Sequence, residues 1–210
     1  MNKNFIWDFD GTLFDSYESI ISSLYELYHD LLKIDVSKDE IYYECIKGTV
    51  REYTDKLEKK YGIKFLDYEN EYKKIKANNY SKIILYKFAR EIVEYFNKNG
   101  DKNFIITHRG ESTYLILNKF NMENNFIEVI TKNSGFARKP SPESINYLID
   151  KYNLDRKNTY YIGDREIDIN AAKNANIKSI YFKSNSCDIS PNESADITID
   201  SLNELIDIFK

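Results

Sequence analysis

The sequence predicts an α/β fold: a doubly wound (Rossmann-like), mainly parallel sheet interrupted by an inserted all-helical domain. Two patterns along the 210 residues support this prediction. Residues 83–210 alternate short apolar runs with segments of helical periodicity, which is typical of right-handed βαβ units. Residues 16–82 show helical periodicity without strand signals. We therefore expect an α/β core domain, formed by residues 1–15 and 83–210, and a helical domain, formed by residues 16–82.

Short apolar runs predict the strands of the core domain. The expected strands cover residues 5–7, 104–107, 126–131, 159–162, 177–182 and 195–199. The expected helices cover residues 88–99, 111–120 and 167–175, with two more beginning at 141 and 202. Gly100 suits the position after a helix, while Ser141 and Pro142 are expected as N-cap and first helical residue.

The helical domain is predicted to contain about four amphipathic helices. Apolar residues at three-to-four-residue spacing begin at Ile20, Ile41, Val50 and Tyr68. Gly62 is expected to end the third helix, because glycine readily adopts the left-handed conformation.

The bulk composition excludes several classes of protein. A net charge of −4 gives no broad basic surface for nucleic acid or an anionic membrane. No apolar run approaches the ~20 residues that span a bilayer, and the early Asp8 leaves no apolar signal-peptide region. Cys45 and Cys187 match no metal-binding spacing. We expect a cytoplasmic protein with reduced cysteines, either a monomer or a weak dimer.

Two acids, Asp8 and Asp10, follow the first predicted strand, and Gly11 then breaks it. Two neighbouring carboxylates repel each other and lose hydration when they are buried, so a cation or a shared proton must compensate. An isolated pair of this kind is equally well explained as a solvated acidic turn. The residues at the other strand ends must decide between the two interpretations.

Ligands bind at the carboxyl ends of the strands in a doubly wound sheet. The residues near those ends are Thr107, His108, Arg109, Lys139, Asp164 and Asp168. The aspartates offer the oxygen ligands that Mg²⁺ prefers, and a threonine hydroxyl beside helix-start N–H groups suits a phosphate. Each residue alone is also compatible with a capping or surface role. Together with a lysine and a carboxylate nucleophile, they indicate phosphoryl transfer.

On these residues the chain resembles haloacid dehalogenase superfamily hydrolases, in the phosphoglycolate phosphatase-like subgroup with a helical cap inserted after the first strand. Four stretches carry the resemblance: 8–16, 106–110, 138–143 and 163–168. Two departures lie outside the chemical groups: the segment that usually has a Pro-x-Gly turn reads Leu85-Tyr86-Lys87-Phe88, and the usual Ala-Gly reads Ala175-Asn176. Asn176 is expected to tolerate the left-handed conformation.

The resemblance implies the role of each carboxylate. Asp8 is the nucleophile that accepts the phosphoryl group, and Asp10 is the general acid that later activates water. Mg²⁺ is held by the Asp8 carboxylate, the Asp10 backbone carbonyl and Asp164, with Asp168 as a further ligand or a support. Residues 16–82 are the cap.

The resemblance also implies how the phosphate is held. Thr107, Lys139 and the His108 N–H are its expected contacts, and Lys139 also serves catalysis. Arg51, in the cap, and Arg109 are candidate contacts for the rest of the substrate. For Arg51 an ordinary solvated inter-helix turn is the alternative explanation of the residues around it, and it is slightly favoured.

Several functions remain open at this stage. The leading hypothesis is hydrolysis of a small phosphomonoester, with phosphoglycolate-like or sugar-phosphate substrates favoured. Asp10 argues against halide removal, because an alkyl halide needs no proton on its leaving group. A sugar-phosphate mutase is disfavoured because residues 19–21 lack the cap-linker histidine. A phosphorylatable receiver-like module and a silent binding protein are the alternatives from other classes.

Overall fold

A computed structural model describes residues 2–184 and 194–210 of the chain. It contains two compact units: one takes residues up to Asp15 and from Leu85 onward, and the other is Ser16–Ile84. Cys45 is buried and is not in a disulfide bond, whereas Cys187 lies outside the described residues. In the described ranges no helix combines the length and apolarity that crossing a membrane requires.

The strands pair in two sheets. In chain order they are β1 (Asn4–Trp7), β2 (Phe14–Asp15), β3 (Ile84–Leu85), β4 (Lys102–Ile106), β5 (Glu128–Ile130), β6 (Thr159–Gly163), β7 (Lys178–Phe182) and β8 (Ile197–Ile199). Strands β2 and β3 pair with each other, and the other six form one sheet in the order β5-β4-β1-β6-β7-β8. Every pairing in that sheet is parallel, which confirms the predicted doubly wound fold.

Strand β1 lies at the centre of the large sheet, and every one of its residues is buried. Ile6 lies opposite Phe104 of β4 on one side and Tyr161 of β6 on the other. The chain order runs outward from β1 in both directions, so β1 marks the point at which the connections change direction. Ligand sites in such sheets lie at this point, beyond the carboxyl ends of the strands.

Nine α-helices lie in the described ranges. They are α1 (Tyr17–Tyr25), α2 (Lys38–Lys47), α3 (Val50–Tyr61), α4 (Glu69–Asn79), α5 (Ala89–Lys98), α6 (Ser112–Lys119), α7 (Glu143–Tyr152), α8 (Glu166–Asn174) and α9 (Glu204–Phe209). Helices α1 to α4 belong to the helical unit. Helix α3 ends at Gly62 with φ 67°, as its position in the sequence predicts.

The start of α7 differs from the prediction. Pro142 is its N-cap, and Ser141 therefore lies one residue before the cap. The Ser141 hydroxyl still accepts a hydrogen bond from the Glu143 N–H at 3.4 Å. The proline ring fixes φ near the value that a helix start requires, and the helix begins immediately after it.

The helical unit has its own apolar core, to which Leu24, Tyr28, Ile41, Tyr53 and Leu57 contribute buried side chains. Helix α1 continues beyond its last α-helical residue as a π-helical turn. The apolar period does not reveal this turn, because a single widened turn shifts the helix face only slightly.

Candidate active site

The carboxyl ends of three neighbouring strands place the site residues. Asp8 follows β1, and its N–H still donates to the Ile162 carbonyl of β6 at 2.8 Å. Thr107 follows β4, and its N–H donates to the Ile130 carbonyl of β5 at 2.9 Å. Asp164 follows β6 directly. Because the sheet's hydrogen bonding continues past the strand ends as far as Asp8 and Thr107, their side chains have well-defined directions.

Lys139 joins two of the aspartates. Its Nζ lies 2.9 Å from Oδ1 of Asp8 and 2.6 Å from Oδ1 of Asp168, and all three side chains are buried. Burial lowers the pKa of Lys139, but the charges of Asp168 and Asp8 more than offset this and raise its pKa above the ordinary value. Lys139 is therefore a fixed ammonium ion between two carboxylates.

Asp8 is buried with one oxygen bonded and one oxygen open. Oδ1 accepts the Phe9 N–H at 2.7 Å in addition to its contact with Lys139. Oδ2 is buried and has no hydrogen-bond partner among the described residues. Burial and the charge of Asp168 raise the pKa of Asp8 from 3.8 to about 6, although Lys139 acts in the opposite direction. An unpaired buried carboxylate oxygen is costly, so a cation or a reacting group at Oδ2 would be favourable.

Three carboxylates form a cluster that could hold a metal ion. One oxygen each from Asp8, Asp164 and Asp168 lie within 4.8 Å of one another, and all three residues are buried. An all-oxygen donor set suits a hard divalent cation, and the open Oδ2 of Asp8 is consistent with it. The donor set therefore fits the predicted metal.

Gly11 makes room for this cluster. It has φ +84°, and a Cβ atom built there would overlap the Asp164 carboxylate. Asp164 also accepts a hydrogen bond from the Thr12 hydroxyl at 3.3 Å. The sequence predicts Gly11 only as the break at the end of the first strand, and it predicts no role for Thr12. The glycine shows its role only when the strand ends are brought together.

Asp10 points to a different partner from Asp8. Arg109 Nη2 lies 2.6 Å from Asp10 Oδ1, and Arg109 Nε lies 3.0 Å and 3.2 Å from the two carboxylate oxygens. The Arg109 side chain is buried, whereas Asp10 is partly exposed. The two acids of the first motif therefore have different surroundings: an ammonium and a carboxylate cluster for Asp8, and a guanidinium for Asp10.

The turn after β4 carries two further contacts. The Thr107 hydroxyl oxygen accepts the Arg109 N–H at 3.0 Å, which leaves the hydroxyl hydrogen to be donated elsewhere. Nε2 of His108 accepts the backbone N–H of Lys139 at 2.9 Å. The sequence predicts only the His108 N–H as a contact, and no spacing in the sequence signals this contact of the ring.

Arg51 lies in the helical unit, in the first turn of α3. Its side chain is exposed and lies 3.7 Å from an Asp55 carboxylate oxygen. The neighbouring Thr49 and Glu52 form a reciprocal capping box that starts the helix. The residues around Arg51 therefore have a clear structural role, and its contact with a substrate stays a prediction.

Comparison with known proteins identifies relatives of this chain. Residues 5–182 match the family model of haloacid dehalogenase-like hydrolases. A phosphoglycolate phosphatase from Vibrio parahaemolyticus is 27% identical over 128 residues, which are 59% of this chain and 56% of that protein. The chain thus spans little more than half the length of that relative. A pyrophosphatase from Halalkalibacterium halodurans is 25% identical over 83% of this chain and 80% of its own length.

A solved structure supports the fold. A protein from Haemophilus somnus, described as a predicted phosphoglycolate phosphatase, superposes with a TM-score of 0.84 over 100% of this chain and 98% of its own, at 22% identity. The family match extends from β1 through β7 and includes all four motif stretches. The chain therefore belongs to the haloacid dehalogenase-like hydrolases.

Proposed function

We propose that this protein is a Mg²⁺-dependent phosphatase that hydrolyses a small phosphomonoester through a phosphorylated Asp8. One observation carries the proposal: Asp8 is buried beside Lys139 with a carboxylate oxygen that has no protein partner among the described residues. A carboxylate that is oriented through one oxygen and open at the other is arranged as a nucleophile.

In the first step Asp8 attacks phosphorus, and the bond between phosphorus and the leaving oxygen breaks. Asp10 gives a proton to that oxygen, so that the product leaves as an alcohol. In the second step Asp10 takes a proton from water, which attacks the phosphorylated Asp8 and releases inorganic phosphate. Thr107, Lys139 and the His108 N–H hold the phosphate oxygens in both steps.

The metal site would be formed by the carboxylates of Asp8 and Asp164 and the Asp10 backbone carbonyl, with Asp168 as a ligand or a support. A bound Mg²⁺ would supply positive charge that offsets the charge of the phosphoryl oxygens. Lys139 contributes a second positive charge, and its contact with Asp168 keeps its Nζ beside Asp8.

The substrate class is also part of the proposal. The name of the Vibrio relative favours a phosphoglycolate-like substrate. Sugar phosphates are the second substrate class that we propose. Arg109 and Arg51 are proposed contacts for the part of the substrate that is released. The helical unit is proposed to be the cap that selects the substrate, and the protein is proposed to be a cytoplasmic monomer or weak dimer.

A mutase or a receiver-like module would use a similar phosphorylated aspartate but would retain or transfer the phosphoryl group. The test is phosphate release across a panel of phosphomonoesters with and without Mg²⁺, with Asp8→Asn as the inactive variant. Asp150→Asn, an exposed aspartate on α7, is the matched control. We expect Mg²⁺-dependent turnover that Asp8→Asn abolishes and Asp150→Asn retains. Equal inactivity of the wild type and Asp8→Asn across the panel would refute the proposal.

A long-lived phosphorylated protein that does not turn over would favour the receiver-like alternative. Transfer of the phosphoryl group within a sugar phosphate, without release of inorganic phosphate, would favour the mutase. Both outcomes can be read from the same reactions by following phosphate and the phosphorylated protein together.

A further inference from the structure

Lys139 is buried within a segment that has little regular structure of its own. Residues 131–142, between β5 and α7, contain neither helix nor strand. Ala137, Arg138 and Pro140, which flank Lys139, are exposed. The backbone of Lys139 must therefore be held by contacts from outside the segment if its Nζ is to stay between two aspartates.

The ring of His108 provides such a contact. Its Nε2 accepts the Lys139 N–H at 2.9 Å, across 31 residues of sequence. Other tethers act on residues to either side of Lys139. The Ala137 N–H donates to the Glu143 carboxylate at 2.7 Å, the Asn174 amide donates to the Pro140 carbonyl at 3.0 Å, and the Lys132 N–H donates to the Arg109 carbonyl at 3.0 Å. The His108 bond acts on the very residue that carries the ammonium group.

The electrostatics of the site keep this ring able to accept a hydrogen bond. Burial, together with the positive charges of Lys139, Arg138 and Arg165, lowers the pKa of His108 to about 2. The ring is then neutral, and its Nε2 retains a lone pair while Nδ1 carries the hydrogen. A side chain that stays neutral next to several cations is suited to holding a backbone N–H.

His108 also directly follows Thr107 in the chain. Since the Thr107 hydroxyl accepts the Arg109 N–H, the turn after β4 already fixes this first proposed phosphate contact. The ring connects the same turn to the second contact, Lys139. We propose that the His108 side chain is a positioning residue, which fixes Lys139 relative to Asp8 and Thr107 through its bond to the Lys139 backbone. This inference rests on the proposed phosphatase function.

The bond predicts how substitutions of His108 will act. His108→Phe keeps a ring of similar size but has no acceptor, whereas His108→Gln offers a carbonyl oxygen at comparable reach. Leaving one buried N–H unpaired disfavours that arrangement by a factor of roughly 5 to 100, so the segment is expected to leave the position in which Lys139 meets Asp8. We expect His108→Phe to lower kcat/KM for an aryl phosphate by about tenfold or more, and His108→Gln to restore most of it.

A second measurement separates positioning from general damage to the fold. Inorganic phosphate should inhibit His108→Phe about tenfold less strongly than it inhibits the wild type, with recovery in His108→Gln, because both phosphate contacts depend on the turn. The thermal midpoint is recorded for each variant. His29→Phe, at an exposed histidine of the helical unit, is the matched control. It should leave kcat/KM and the inhibition constant of inorganic phosphate unchanged.

The inference is overturned if folded His108→Phe keeps kcat/KM and phosphate inhibition within twofold of the wild type. It is also overturned if His108→Gln is as impaired as His108→Phe. If His108→Phe does not fold, the comparison of His108→Gln with the shorter His108→Asn decides, and equal activity of these two refutes positioning. The phosphatase proposal is judged separately, by wild-type turnover and its loss in Asp8→Asn.

Discussion

Arg109 binds the Asp10 carboxylate through two nitrogens, with Nη2 2.6 Å and Nε 3.0 Å from Oδ1. The planar guanidinium fixes the direction of the carboxylate as well as its charge. The Arg109 side chain is itself buried, and its Nη1 lies 3.4 Å from the Ser112 hydroxyl in α6. Arg109 therefore sets where Asp10 can meet a leaving group.

We expect Arg109→Gln to impair substrates according to their leaving group. An alkyl phosphate needs a proton from Asp10, whereas p-nitrophenolate leaves without one, and general acid catalysis is worth roughly 100-fold or more. The variant should therefore lose on the order of 10-fold to 100-fold in kcat/KM for an alkyl phosphate. It should lose only about threefold for p-nitrophenyl phosphate.

Asp10→Asn provides the comparison for this prediction, because it removes the proposed proton donor itself. It should show the same dependence on the leaving group as Arg109→Gln. An equal loss on both substrates in Arg109→Gln would show that Arg109 acts on binding of the phosphate and not through Asp10.

The sequence predicts the sheet and the residues at its strand ends because both follow from apolar periodicity and parallel topology. The structure brings Asp8, Asp164, Asp168 and Lys139 together within this frame. The bond between His108 and Lys139 could not be predicted in the same way. It depends on the path of an irregular segment and on a ring orientation, and neither has a period in the sequence.

Local backbone conformation is likewise predictable from the sequence at some residues and not at others. Asn176 adopts φ 54° where the family pattern has glycine, in line with the known tolerance of asparagine for this region. Phe88 adopts φ 68° at the start of α5, although bulky residues rarely do so. Phe88 is half-buried and adopts this conformation against its local preference, so sequence rules based on local preference miss it.

Gly11 and Gly135 form a natural pair of test sites, because both have φ +84° but differ in their surroundings. An alanine at either site adopts a left-handed backbone, which costs about 1–2 kcal/mol. At Gly135 no atom lies near the new methyl group, whereas at Gly11 the methyl group overlaps the Asp164 carboxylate. Gly11→Ala should therefore lower kcat roughly 100-fold, as expected for a displaced catalytic group, while Gly135→Ala retains activity.

Phosphate release and urea unfolding of the two glycine variants check this prediction. Gly11→Ala should also bind Mg²⁺ more weakly. Added Mg²⁺ should therefore raise the thermal midpoint of this variant less than that of the wild type. If both variants lose activity equally, backbone strain and not the space beside Asp164 is responsible.

The raised pKa of Asp8 predicts that ionisation of this residue lowers the folding stability of the metal-free protein as the pH rises. Burial raises this pKa from 3.8 to about 6. The protonated carboxyl group is therefore favoured in the folded state, and its stabilising contribution is complete below about pH 4 and lost as the pH rises through 6. With chelator present, Asp8→Asn should be more stable than the wild type by up to about 3 kcal/mol at pH 7.5. This gain should shrink towards zero by about pH 4.

Urea unfolding at several pH values in EDTA measures this difference. Added Mg²⁺ should reduce the advantage of Asp8→Asn, because a cation that binds only the folded wild type stabilises it. A gain that does not change between pH 4 and pH 7.5 would contradict the assignment to the ionisation of Asp8.

Tyr28 and Tyr53, in the core of the helical unit, differ in the hydrogen bonding of their hydroxyl groups. Both rings are buried, with centroids 6.4 Å apart. The Tyr53 hydroxyl donates to the Glu40 carboxylate at 3.3 Å, whereas the Tyr28 hydroxyl has no hydrogen-bond partner among the described residues. A buried hydroxyl without a partner costs about 1–3 kcal/mol, so Tyr28→Phe should raise the free energy of unfolding by about 1 kcal/mol.

Tyr53→Phe should lower the free energy of unfolding by roughly the same amount, because it removes the hydrogen bond to Glu40. Urea unfolding of both variants measures the two changes, and a loss of stability in Tyr28→Phe as large as that in Tyr53→Phe would show that the Tyr28 hydroxyl is bonded in solution.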